Sequence, residues 1–223
     1  MVPTPPADVA GPAEEPQPAR CAPGESGEEC YERASALIKA HGTSSATKTA
    51  FELFQSGCSL GSSLACNGAA WGFIHGDGGV KDPAAAGDFL ARGCPTGNEH
   101  PATCDSRGFA LLTGFAATRR DPDLATRLFV NACRGGERYS CATLNLYGPL
   151  GLPEAQEISR PDLVCHFDLQ DLEDACFQRS GPQECWLGSL MAATGTCMAA
   201  DEDKSQELHR AAVTLGVPWP ALP

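Results

Sequence analysis

The stretch Gly57-Cys-Ser-Leu-Gly-Ser-Ser-Leu-Ala-Cys66 decides the fold. Two cysteines stand eight residues apart around a central glycine. If one helix ran from Cys58 to Cys66, the sulfurs would lie about 12 Å apart along its axis. No disulfide spans that distance. Upstream, Ala50, Leu53, Phe54 and Gly57 recur at helical spacing. Gly61 breaks that helix. Ser62 or Ser63 can cap a second one, carrying Cys66, Ala69, Ala70, Phe73 and Ile74 and ending in His75-Gly-Asp-Gly-Gly79. Turning the chain at Gly61 sets the end of one helix beside the start of the next. Gly57, Gly61 and Ala65 are small enough to allow close approach. The cysteine pair then staples the closed end of a short helical hairpin.

The arrangement repeats. Pairs Cys21/Cys30, Cys58/Cys66, Cys94/Cys104, Cys133/Cys141 and Cys176/Cys185 have spacings of 9, 8, 10, 8 and 9. Their first members step by 37, 36, 39 and 43 residues, a period that signals a repeat architecture. Glu52-Leu-Phe-Gln-Ser-Gly-Cys58, Asp88-Phe-Leu-Ala-Arg-Gly-Cys94 and Arg127-Leu-Phe-Val-Asn-Ala-Cys133 are near-copies. Asp82-Pro83 and Asp121-Pro122 each begin 12 residues before a cysteine. Asp as N-cap with Pro at the first helical position starts helices near 83 and 122. A unit of 36 to 43 residues cannot hold itself together, so neighbours must stack and staples must compensate for a thin core. The remaining Cys165 and Cys197 fall at the two ends that meet at the open side of the fourth hairpin. A Cys165–Cys197 bridge would close that side. The alternative for this pair is redox reactivity.

Composition sets the outer bounds. The chain has 223 residues, 42% of them hydrophobic, enough to bury a core in one or two domains. No apolar run is long enough to span a membrane. Sixteen basic against 28 acidic residues give a formal charge of −12, which disfavours nucleic acid and favours basic partners. Twelve cysteines without a single C-x-x-C read as a disulfide framework rather than zinc sites, and so imply an oxidising compartment. The opening Met-Val-Pro-Thr-Pro-Pro lacks a basic and then apolar leader, so we expect a removed signal and an added Met1. Residues 1–20 are rich in Pro, Ala and Glu and are expected to form a disordered linker, or a tether to an N-terminal lipid anchor.

The pattern A-x-x-L-F-x-x-x-C-x-x-G-x-x-x-x-C, then small residues, G-x-G-V-x-D and a new helix, resembles the Sel-1-like repeat of the tetratricopeptide superfamily. Its disulfide-bearing branch is the Helicobacter cysteine-rich protein family. Ala50, Leu53, Phe54, Cys58, Gly61, Cys66, Gly76, Gly78, Val80 and Asp82 match as they stand. The second unit departs, with a longer cysteine loop and Gly114-Phe-Ala-Ala-Thr-Arg-Arg-Asp-Pro122 in place of the glycine turn. The third departs more, because Tyr147-Gly148-Pro149 stops its second helix early. The resemblance covers about residues 21–216 and implies an all-α, right-handed α-solenoid whose members act mainly as adaptors and protein-binding modules. The expected organisation is a linker over 1–20, a solenoid over 21–223 and a capping helix over 203–215, with Trp219 packed across that helix.

Catalysis is the competing reading. Ser45-Ala-Thr-Lys48 fits the S-x-x-K motif of penicillin-recognising serine enzymes, and β-lactam binding or hydrolysis has been attributed to the resembling cysteine-rich family. No S-D-N or K-T-G follows, and nothing builds an oxyanion site. Ser44 or Ser45 capping the helix that holds Ala50 accounts for the stretch without chemistry. The histidines at 41, 75, 100, 166 and 209 fall in different units without ligand spacing. His41 suits a helix C-terminus. No catalytic residue, metal or cofactor is therefore expected.

Binding is placed on an inner surface lined by the first helices of successive units. The candidates are Lys48, Glu52 and Gln55, then Asp88 and Arg92, then Arg127 and Asn131; for each, a merely solvated position is the alternative. The insertion at 148–161 is longer than the repeat requires and can bind or merely space. The expected function is a protein-binding adaptor, assembly factor or immunity-type partner. It would be exported to the periplasm, outer membrane or exterior and would bind a basic protein or peptide.

Overall fold

The structure, a computed structural model, describes residues 19–41, 43–147, 169–179, 181–197 and 199–218. The expected linker over 1–18, the insertion at 148–161, Cys165 and Trp219 lie outside the described residues. Among the described residues there are ten helices and no strand. They are α1 (Gly27–His41), α2 (Ser44–Ser59), α3 (Ser63–His75), α4 (Pro83–Gly93), α5 (Pro101–Thr113), α6 (Pro122–Arg134), α7 (Arg138–Tyr147), α8 (Leu169–Arg179), α9 (Pro182–Thr194) and α10 (Glu202–Thr214). The pairs α2–α3, α4–α5, α6–α7 and α8–α9 are four hairpin units. Helix α1 is the second half of a shortened leading unit, and α10 follows the last one.

Local chemistry sets most helix starts. Asp82, Asp121 and Asp201 accept hydrogen bonds from the backbone N–H of Ala85, Leu124 and Lys204, and Ser62 accepts from Ala65. Pro83, Pro101, Pro122 and Pro182 occupy first helical positions, where no N–H is needed. Helix α1 begins with a reciprocal cap. The Ser26 N–H donates to Glu29 Oε2 at 2.8 Å, and the Glu29 N–H donates to Ser26 Oγ at 3.2 Å. Helix α2 corrects the sequence reading. Its N-cap is Thr43, which accepts from Ala46, so Ser44 is already the first helical residue.

One repeat departure has a visible backbone consequence. Gly76, closing α3, adopts φ +85° and Gly79 in the same turn φ +98°. In the next unit Gly114 plays the first part, but Ala116 and Ala117 take φ values of 53° and 52°. That left-handed conformation costs roughly 1–2 kcal/mol per residue bearing a Cβ. Helix α7 is described over Arg138–Tyr147, and the Gly148-Pro149 stop expected after it lies outside the described residues.

Packing is between neighbours, as in a solenoid. Each hairpin closes on itself, and α1 lies on α2, α3 on α4, α5 on α6 and α9 on α10. Glycine allows the closest approaches. A Cβ on Gly57 would sit 2.9 Å from Ala65 Cβ and 3.0 Å from the Gly27 carbonyl, so the residue is squeezed between α3 and α1. The core runs from Ala70 through Val217, with a smaller cluster around Cys30, Leu53, Phe54 and Cys66 at the amino-terminal end. Its largest fully buried side chain is Trp186 on α9, which meets Phe109 of α5 edge-on at 5.5 Å between centroids. Phe109 also contacts Phe115 at 5.4 Å, and Phe115 faces Trp71 of α3 at 6.2 Å. Second helices of units one, two and four thus converge on one aromatic cluster. First-helix side chains such as Leu90, Leu128 and Phe129 complete the same core.

Candidate functional site

The staples come first, since they position everything else. Cys21–Cys30, Cys58–Cys66, Cys94–Cys104, Cys133–Cys141 and Cys176–Cys185 are bonded, with Cα–Cα distances of 5.5, 4.5, 5.1, 4.9 and 4.7 Å. These are the five regularly spaced pairs; four close the turn between a first and a second helix, and Cys21–Cys30 ties the non-helical segment ahead of α1 to that helix. Cys197 is also disulfide-bonded, and its expected partner Cys165 lies outside the described residues. Sequence reasoning missed the carboxylates beside two staples. Glu99 accepts from the Thr96 and Gly97 N–H groups at 3.1 and 2.8 Å, closing the long 94–104 loop. Glu25 accepts from the Ala22 N–H and pairs with Arg33 at 2.7 Å. Thr96-x-x-Glu99 is the local signal that could have revealed the first of these contacts, whereas Glu25 follows Ala22, which has no capping hydroxyl to announce it. The groups Cys21–Glu25–Cys30 and Cys94–Glu99–Cys104 have metal-like compactness. Their sulfurs are oxidised, however, and offer no thiolate to a metal.

The seven candidate binding residues fall in one stripe on each first helix. Lys48 is exposed and Glu52 and Gln55 half-buried on α2; Asp88 and Arg92 are exposed on α4; Arg127 is exposed and Asn131 half-buried on α6. The structure does not gather them into a single inner groove. The interior is filled from both sides, by Leu90, Leu128, Phe129 and Leu172 of first helices and by Phe109, Leu144, Trp186 and Leu187 of second helices. Trp71, Phe109, Phe115 and Trp186 bring second helices of units one, two and four together. Glu52 and Gln55 line one shallow depression of about 610 Å³ with Arg20. Asn131 lines another of about 320 Å³ with Gly97 and Glu99. Arg92 lies over the Phe89 ring, 4.8 Å from its centroid. The stripes carry both signs of charge. Acidic residues also cluster in the first turns of α1, at Glu28 and Glu29, and of α10, at Glu202 and Asp203.

Ser45 and Lys48 both stand exposed at the start of α2, on open helix surface. A third depression, about 640 Å³, is more apolar; Ile74, His75, Lys81, Phe115, Leu215 and Pro218 line it.

One buried polar junction had no local signal in the sequence. Asp105 on α5 is 4% exposed. Its Oδ1 accepts from Ser140 Oγ of α7 at 2.5 Å, and its Oδ2 accepts from Gln183 Nε2 of α9 at 2.7 Å. One carboxyl thus ties together the second helices of units two, three and four. Burial pushes its pKa up to about 7; the hydrogen bonds from Ser140 and Gln183 lower it, and the Glu137 and Glu184 charges raise it. Burial likewise pushes the neighbouring Tyr139 phenol up to about 12. A helical pattern could only show Asp105 one position after Cys104. Its partners are 35 and 78 residues away.

No family model and no curated protein matches the sequence. Solved structures do match the fold. The chain is similar to a Sel1 repeat protein from Oxalobacter formigenes with a TM-score of 0.50 at 13% identity, covering 86% of this chain and 72% of that one. It is also similar to a protective antigen of uropathogenic Escherichia coli strains displaying an SLR fold, with a TM-score of 0.49 at 18% identity. That match covers 85% of this chain and 38% of the antigen. The fold is the Sel1-like repeat solenoid, and its cysteine pairs fit the disulfide-rich form of it. Among the described residues, no helix is long and apolar enough to cross a membrane.

Proposed function

We propose that this protein is an exported adaptor, assembly factor or immunity-type binding partner that engages a basic protein or peptide through its solenoid surface. The observation that carries the reading is the stapled Sel1-like fold, a scaffold type suited to protein interaction. Five disulfides fit folding in an oxidising compartment, such as the periplasm or the cell exterior. An N-terminal lipid anchor is part of this proposal. The charge of −12 favours encounter with cations at long range, and the mixed stripes on α2, α4 and α6 then sort partners by local pairing.

Affinity capture from an envelope fraction, with the oxidised protein as bait, identifies the partner; its association rate is then measured against salt. We expect a basic partner whose association slows as salt rises from 50 to 300 mM, by about tenfold. Glu52→Lys with Asp88→Lys should slow association, whereas Glu32→Lys on α1 should change it little. An acidic partner, or equal effects of both reversals, would contradict the assignment to the first-helix stripes.

A further inference from the structure

We propose that the buried carboxyl of Asp105 is a pH-responsive latch, which holds unit four against units two and three when neutral and loosens that junction when ionised. The geometry is specific. Asp105 sits near the start of α5 with both oxygens engaged, one by α7 and one by α9. Ser140 and Gln183, its two donors, are themselves 0% and 6% exposed. Trp186, on the first turns of α9 with Gln183, packs on Phe109, one turn along α5 from Asp105. Polar and aromatic contacts therefore hold the same two helices together from the same faces.

Neutral, the carboxyl still accepts from the Gln183 amide through one oxygen and turns its own O–H toward the Ser140 hydroxyl, which can accept as well as donate, so the site holds no net charge. Ionised, it places a charge where both hydrogen-bond donors are neutral and the nearest charged groups repel it. Those groups are Glu137, just ahead of α7, and Glu184 on α9. Arg138 and the Tyr139 phenol stand on the same turn of α7. On its own helix, Arg107 is directed instead at the Cys94 carbonyl. Desolvation is the largest influence and favours the protonated form, with a midpoint at about 7 against 3.8 for a free side chain. Because the folded value lies above the unfolded one, the folded state holds a proton that the unfolded state releases. The resulting stability is fully present in acid and is lost as pH rises through about 7. Near-neutral pH changes therefore act on how tightly the carboxy-terminal unit docks, and so on the curvature of the solenoid.

The test uses the intact oxidised protein. Its melting temperature should fall by about 5 °C or more between pH 5.5 and 8.5. In Asp105→Asn, which keeps a hydrogen-bonding group of the same shape without the charge, that fall should disappear. In the wild type, the Asp105 carboxyl carbon resonance should titrate near pH 7. Amide protection, corrected for intrinsic exchange, should drop with pH in α9 and not in α3. A carboxyl that titrates below pH 5, an Asp105→Asn protein with the full wild-type pH dependence, or equal loss of protection in α3 and α9 would each overturn the proposal. If Asp105→Asn does not fold, the carboxyl titration and the exchange pattern of the wild type decide it.

Discussion

Reduced under otherwise native conditions, the protein is expected to lose most of its thermal stability. The five observed bridges close loops with separations of 8 to 10 residues. Chain-entropy arguments give about 2–3 kcal/mol for each such loop, or about 10–15 kcal/mol in sum as an upper bound. That matches the whole stability of an ordinary domain, about 5–15 kcal/mol. The effect should be larger than any pH change within the neutral range, because the latch at Asp105 is one group against five staples. Thermal melts with and without reductant, with thiols counted to verify reduction, measure this directly. An unchanged midpoint after complete reduction would mean that packing between the units suffices by itself.

Trp186→Ala should be the most damaging single truncation. The side chain is 1% exposed and bridges α9 to Phe109 on α5. Removing a buried aromatic of this size costs about 3–5 kcal/mol in lost burial and residual cavity. For a chain of this length that corresponds to a fall in melting temperature of roughly 6–20 °C. Phe177→Ala on α8 is the control. Phe177 is 49% exposed, and its loss should stay within about 0.5 kcal/mol. Denaturant melts of the two variants compare them. Equal effects would show that the aromatic cluster does not hold the curl of the solenoid together.

The contrast between these residues explains what could be read in advance. Spacing inside one hairpin is local, so the Cys58/Cys66 turn and the caps at Ser62, Asp82 and Asp121 were legible. The start of α2 was less so. Thr43, Ser44 and Ser45 all carry a capping hydroxyl, and the apolar residues Ala50, Leu53 and Phe54 fix the face of the helix rather than its first residue. Curvature was not legible at all. It depends on Phe109 meeting Trp186 and on Asp105 meeting Gln183, contacts between units whose periodicity records only neighbour stacking. An inner groove of first helices follows from an open curl. Lys48, Asp88 and Arg127 are exposed on α2, α4 and α6, while side chains of first and second helices together fill the core.

The central claim is that every unit closes on its own staple, and peptide mapping of the oxidised protein under non-reducing conditions tests it most directly. The expected linked peptides join Cys21 to Cys30, Cys58 to Cys66, Cys94 to Cys104, Cys133 to Cys141 and Cys176 to Cys185, with Cys165 to Cys197 as the proposed sixth. A bridge from one unit to the next, such as Cys66 to Cys94, would contradict the account.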